Sequence, residues 1–225
     1  MVAKTTTPKR PRTARGPGRP EGTSEVRSDI LDAAEDVFSS LGYAGTSLRE
    51  VAEKAKVTQA LISYYFGSKF GLFEQVFLRR GAPISQERIE RLEMLQRQGK
   101  ASVREIVRAF LLPTLSLRGT AQGRAFLRLQ ARLHTEPPEI SYELRTHAYG
   151  NSTGLYVQAL RAALPGLGEL DAYWRVTMMI GTYLYAFSDT HRMEEMVPEG
   201  LYDPSDVESL IEQVTRFLVG GFEAS

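Results

Sequence analysis

The sequence predicts an all-α protein. Apolar residues recur at three- and four-residue spacing from Ser24 onward, no stretch alternates with a strand's period, and Pro and Gly cluster between the periodic segments. At 225 residues the chain accommodates one large domain or two unequal ones, and a hydrophobic content of 42% is enough for a core.

Residues 1–22 are rich in Pro, Gly, Thr, Lys and Arg and are expected to be a disordered basic arm. The first helix is predicted from Ser24 to Leu41, with Val26, Ile30, Ala33, Val37 and Leu41 as its apolar face and Gly42 as a left-handed stop. A capping box, Ser47 to Glu50, opens a second helix that runs to Ala55. After a turn at Lys56-Val57, Thr58 caps a third helix of about two turns, Gln59 to Tyr65. Gly67-Ser68 breaks the pattern, and Ser68 caps a helix starting at Lys69. Beyond residue 82 longer helices are predicted over 85–97, 103–117 (box Ser102 to Glu105), 121–134, 139–163, 169–190 and 206–219 (box Ser205 to Glu208). Breaks fall at Gly99, Gly119, Pro137-Pro138, Pro165-Gly166 and Pro198-Glu199-Gly200. The chain thus divides into an arm (1–22), a helix-turn-helix domain (23–72) and a larger helical domain (73–225).

Composition excludes several classes of function. There is no cysteine, and His134, His147 and His191 are far apart, so neither a metal nor another cofactor is expected. No apolar run approaches the ~18–20 residues of a membrane span. No apolar segment follows the basic N-terminus as in a secretory signal, so the expected location is the cytoplasm. No nucleophile has a base at motif spacing and no carboxylate pair stands out, which argues against an enzyme. The net charge of +1 hides an asymmetry. Lys4, Lys9, Arg10, Arg12, Arg15 and Arg19 face the single acid Glu21, so residues 1–22 carry +5 and the remainder −4. Charge alone fits either an arm that seeks a polyanion or a solvated tail.

A helix as short as the third is marginal unless its neighbours hold it. Val51, Ala52, Val57, Ile62 and Phe66 supply the packing side, leaving Gln59, Ala60, Ser63 and Tyr64 on the other. Gln makes bidentate contacts to adenine, Ala touches a thymine methyl, and Ser serves either kind of base. Tyr64, Tyr65 and Lys69 are suited to phosphates. Spacing alone is equally satisfied by a helical hairpin with a hydrated polar face.

The runs Thr46-Ser47-Leu48-Arg49-Glu50-Val51-Ala52, Ala55-Lys56-Val57-Thr58 and Ile62-Ser63-Tyr64-Tyr65-Phe66-Gly67-Ser68-Lys69 resemble the DNA-binding domain of the TetR family of repressors. The similarity spans about residues 24–72 and includes Ile30 to Ala34, Phe38 and Gly42-Tyr43. It implies base reading by Arg49, Gln59, Ala60 and Ser63. It also implies phosphate contact by Ser47, Thr58, Tyr64, Tyr65 and Lys69. Two departures stand out: Lys56 replaces the usual turn glycine, and Ser63 a common tyrosine. Arg15-Gly16-Pro17-Gly18-Arg19-Pro20 resembles a minor-groove hook with an extra Pro-Gly, so Arg15 and Arg19 are expected in the minor groove.

The resemblance further implies a homodimer formed through the C-terminal helices, on an operator of double-stranded DNA in a bacterial nucleoid. The segment 169–190 is apolar on more than one face, and the last helix offers Val207, Leu210, Ile211, Val214, Phe217 and Leu218. Family members bind small effectors inside this domain. Phe110, Phe126, Met178, Met179 and Tyr183 are candidates for apolar contact, and His147 and Asn151 for a polar end. Arg79-Arg80 to Leu95 and Ala159-Leu160 to Leu167 look similar to a branch with fatty-acid- and acyl-CoA-responsive regulators. The expected function is a repressor released from a palindromic operator by a small apolar or amphipathic effector. Its alternatives are an activator or effector-independent regulator of the same fold, and a helical lipid-binding protein without DNA binding.

Overall fold

The computed structural model describes residues 21–188 and 191–224, and within them every regular element is a helix. The order is α1 (Glu21–Gly45), α2 (Leu48–Ala55), α3 (Gln59–Phe66), α4 (Lys69–Arg97), α5 (Val103–Leu115), α6 (Ala121–Leu133), α7 (Pro138–Ala163), α8 (Glu169–Phe187), α9 (Arg192–Met196) and α10 (Val207–Glu223).

Two cores organise the chain. The first joins Ile30, Leu31, Ala34 and Phe38 of α1 to Val51, Ala52, Ile62 and Phe66, and continues through Phe73, Val76 and Phe77 of α4 onto Phe126 and Leu129 of α6 and Leu144 and Tyr149 of α7. The second gathers Phe110 and Leu111 of α5, Tyr156 and Leu160 of α7, Val176, Met179 and Tyr183 of α8, and Ile211 and Leu218 of α10. Helix α4 belongs to both: Phe73 and Phe77 serve the first core, Leu92 the second. The expected boundary after residue 72 therefore falls inside a continuous helix.

Several predicted elements are corrected. Instead of pausing near residue 82, α4 runs unbroken across Pro83. Proline deletes one intrahelical bond, but Phe77, Ile84 and Leu92 keep one stripe buried on both sides of it. Helix α1 does break at Gly42 as expected, with a positive φ (φ 74°, ψ 177°), and only a short further turn continues to Gly45. Its buried face is rotated: Leu41 is 48% exposed, whereas Leu31 and Phe38 are interior. Helix α5 ends at Leu115, and Ser116–Gly119 tightens into a 3-10 turn. Helix α8 ends at Phe187, short of 190, and α9 has no counterpart among the predicted helices. At α10 the cap is Asp206, accepting from the Ser209 amide at 2.9 Å. The Ser205 amide and hydroxyl instead donate to Asp203 Oδ1, at 2.8 and 2.6 Å, so the Ser205 box does not form.

Candidate nucleic-acid interface

Three local closures place α3. At the start of α2, Ser47 Oγ accepts from the Glu50 amide at 3.2 Å, while the Glu50 carboxylate accepts from the Ser47 amide at 2.7 Å and its hydroxyl at 2.8 Å. Those bonds to Ser47, helped by the charge of Lys69, hold the Glu50 carboxyl below its ordinary range. The end of α2 is a Schellman turn. Lys56 is left-handed (φ 55°, ψ 41°), and the Val57 amide donates to the Ala52 carbonyl at 2.9 Å. Thr58 then caps α3, accepting from the Leu61 amide at 3.2 Å and keeping its hydroxyl proton free to donate. Beyond α3, a Cβ at Gly71 would stand 2.2 Å from the Phe66 carbonyl, so only glycine lets α4 start this close.

Burial divides α3 into two sides. Ile62 and Phe66 are interior, whereas Gln59, Ala60, Ser63 and Tyr64 are exposed, Tyr64 by 81%. Tyr65 is half-buried and meets the Tyr64 ring edge-on at 5.3 Å. Lys69 Nζ sits 4.5 Å from the centre of the Tyr43 ring and 3.5 Å from the Ala44 carbonyl, which brings its charge to the loop before Ser47. Arg49 is exposed and its Nε donates to Glu53 at 2.8 Å, a bond it would exchange to reach a base. The result is a short polar helix held from behind, with hydroxyl and ammonium donors around it. Short polar side chains on such a helix read base edges, and the flanking donors hold phosphates. Arg15 and Arg19 lie outside the described residues.

The expected effector residues do not share one cavity. Phe110, Met179 and Tyr183 meet in the second core, with Phe110 and Tyr183 ring centres 5.9 Å apart. Phe126 belongs to the first core, 5.3 Å from Phe77. His147 and Asn151 are exposed because α7 buries Leu144, Ala148 and Ser152, and these two lie beside that stripe; His147 Nδ1 is 3.5 Å from Glu74. Met178 is 62% exposed, on the outer side of α8 with Leu170 and Trp174. A groove of about 860 Å³ between α8, α9 and α10, lined in part by Met193, Met196, Leu201 and Phe217, contains none of them. The sequence pattern did not single out Arg88, which is 1% exposed. Its signal was a cation between Ile84 and Leu92, four residues from each, on an otherwise apolar stripe.

Comparison with known proteins bears on both halves. Residues 108–221 match the family described as tetracyclin repressor-like, C-terminal domain, and residues 30–76 match bacterial regulatory proteins, tetR family. A transcriptional repressor of Mycobacterium tuberculosis is 37% identical over 67 residues, 30% of this chain and 36% of that protein. The chain thus spans little more than a third of the length of that relative. A tetR family transcription regulator from Shewanella sp. PV-4 superposes with a TM-score of 0.62 at 18% identity, covering 87% of this chain and 97% of that one. FadR from Bacillus subtilis, solved with stearoyl-CoA, superposes with a TM-score of 0.58 at 21% identity, covering 86% and 98%. At such identities the likeness is one of fold.

Proposed function

The chain belongs to the TetR family of bacterial regulatory proteins, and from that premise we propose a homodimeric repressor that a small apolar or amphipathic effector releases from a near-palindromic operator. The observation that carries DNA reading is the exposed polar side of α3, clamped at both ends and backed by Ile62 and Phe66. Dimerisation is supported by an outward apolar face: Leu170, Tyr173, Trp174, Met178 and Tyr185 on α8 and Phe217 on α10 are each at least half exposed in the single chain. Apolar patches of this kind on a folded surface mark interfaces, and a two-fold dimer presents two equivalent recognition helices. Effector control is supported by α4, which starts directly after α3 and ends in the second core. A ligand that favours one packing of that core shifts the spacing of the heads only by its differential affinity for the two arrangements. The likeness of residues 79–95 to fatty-acid-responsive regulators is the reason for an apolar or amphipathic effector.

Selection of bound duplexes from a random pool supplies the operator, on which two substitutions separate the roles. Gln59→Ala should cost about 1–3 kcal/mol on the selected site and relax preference at one position per half-site. Lys69→Ala should weaken all duplexes alike and lower the salt slope by about 1 for each phosphate left without its cation. Equal losses on every operator variant for Gln59→Ala would remove base reading from that residue. Failure to recover any site from the pool would sink DNA reading altogether.

A further inference from the structure

Arg88 is the largest fully buried side chain, 1% exposed, and no carboxylate pairs with it among the described residues. Its Nε donates to the Phe110 carbonyl and its Nη2 to Thr114 Oγ1, each at 2.9 Å. Both bonds use one side of the guanidinium. The opposite edge, between Nη1 and Nη2, has no acceptor among the described residues. Aromatic rings surround the cation: Phe110 at 3.6 Å, Tyr183 at 5.4 Å and Tyr149 at 5.6 Å from ring centre to Cζ. Neither Tyr149 nor Tyr156 serves as a counter-anion, because burial pushes both phenols well above their ordinary value. The Tyr156 hydroxyl donates to the Arg88 carbonyl at 2.9 Å, holding this stretch of α4 against α7.

A lysine or histidine placed here would escape by losing its proton; arginine does not. Burying a charge without a partner is expensive, and rings compensate only in part. A second polar orphan lies across the Tyr149 ring. Gln130 donates to the Tyr149 hydroxyl at 2.9 Å, yet its own Oε1 is buried without a partner. The open fork of a buried cation in an apolar, ring-lined surround describes the complement of a carboxylate; the Gln130 oxygen, itself an acceptor, pairs with no part of that group.

We propose that Arg88 is the anchor of the effector site and that the effector is a carboxylic acid with an apolar body, its carboxylate paired with the open Nη1–Nη2 edge. This rests on the effector-controlled function proposed above and narrows its ligand to one class. A carboxylate matches the guanidinium fork with two parallel hydrogen bonds, while the body replaces ring contacts around Phe110 and Tyr183. The site lies where α4, α5, α7 and α8 meet, so occupancy acts on the helix that leads out of the DNA-reading head.

The test uses the full chain with octanoate, dodecanoate, phenylacetate and benzoate, each beside its primary amide, and with dodecanoyl-CoA. Thermal shift and calorimetry read binding, and operator titration reads release. At least one acid should bind ~10-fold or more tightly than its amide and raise the melting temperature; ~10-fold is about 1.4 kcal/mol. Arg88→Met should abolish that preference, and Arg88→Lys, which keeps the charge without the fork, should reduce it. Each variant is compared with its own ligand-free baseline. If no acid outbinds its amide on the wild-type chain, the proposal is overturned, whether or not the variants fold. Binding of an amide or of dodecanoyl-CoA with loss of operator affinity, and no response to the acids, would overturn the carboxylate while leaving effector control standing. Acid binding without any change in operator affinity would support Arg88 as the anchor and overturn effector control.

Discussion

Lys56 shows how one residue sets the reading head. The turn between α2 and α3 demands a left-handed residue, and a side chain with a Cβ holds φ 55° there at a cost of about 1–2 kcal/mol. Glycine would remove that strain but bring greater freedom to the unfolded chain, which offsets part of the gain. Lys56→Gly should therefore stabilise the fold by about 0.5–1 kcal/mol, a rise of roughly 1–4 °C for a chain of this size. Calorimetry of the two proteins at equal concentration checks it, and a lower melting temperature would contradict the strain assigned to this turn. Because Lys56 is exposed beside the reading helix, operator affinity should be recorded too. A stabilised but weaker binder would mean that the ammonium touches phosphate.

At the scale of elements, a pH response is expected from the corner between α6 and α7. His134 closes α6, and its Nδ1 lies 3.2 Å from the Arg145 guanidinium of α7. Packing around the ring, and after it the charge of Arg145, pushes the imidazole down to about 4. A depressed pKa means that the fold favours the neutral ring. That contribution is complete above the unfolded value near 6.5 and is lost as pH falls through about 4. Thermal stability should decline across that window, and His134→Gln should flatten the decline relative to wild type. Parallel profiles for the two proteins would show that the acid response resides elsewhere. The same corner is tied to α1. Arg132 Nη1 donates to the Ser40 carbonyl at 2.7 Å, and Glu136 accepts from the Tyr43 amide at 3.0 Å, so loosening it should be felt in the head.

For the whole molecule, the outward faces of α8 and α10 decide the assembly. Phe217 is 70% exposed and Trp174 57% in the single chain, while Leu218 and Val176, on the inner sides, are buried. Phe217→Glu adds a charge to the outer face without touching either core. If that face is the dimer interface, a buried aromatic anchor is replaced by an unpaired acid, a loss of about 2–4 kcal/mol in association. Sedimentation should then show monomers at micromolar concentration with unchanged helix content, and affinity for a two-half-site operator should collapse. Dimers that persist in Phe217→Glu would place the interface elsewhere.

What the sequence by itself determined is what local chemistry governs. The Ser47 and Ser102 capping boxes, the Thr58 and Ser68 caps and the left-handed Lys56 all depend on residues within a few positions of one another, and each forms as its spacing predicts. The apolar stripes of α2 and α3 likewise expose the polar side of α3. Tertiary structure decided matters that depend on residues distant in the chain. The sequence pattern starts a new helix at residue 85, yet a stripe buried in two cores carries α4 unbroken across Pro83. Sequence spacing grouped Met178 with Met179 and put His147 and Asn151 on a promising helix, but only packing selects which side of a helix turns inward. Arg88 is the sharpest case. In sequence it sits within an ordinary charged run, Glu87-Arg88-Ile89-Glu90-Arg91, and Arg91 does pair with Glu87 at 2.7 Å. Arg88 has its four-residue neighbours Ile84 and Leu92 on the buried stripe, and convergence of α5, α7 and α8 on that stripe leaves its charge enclosed by rings.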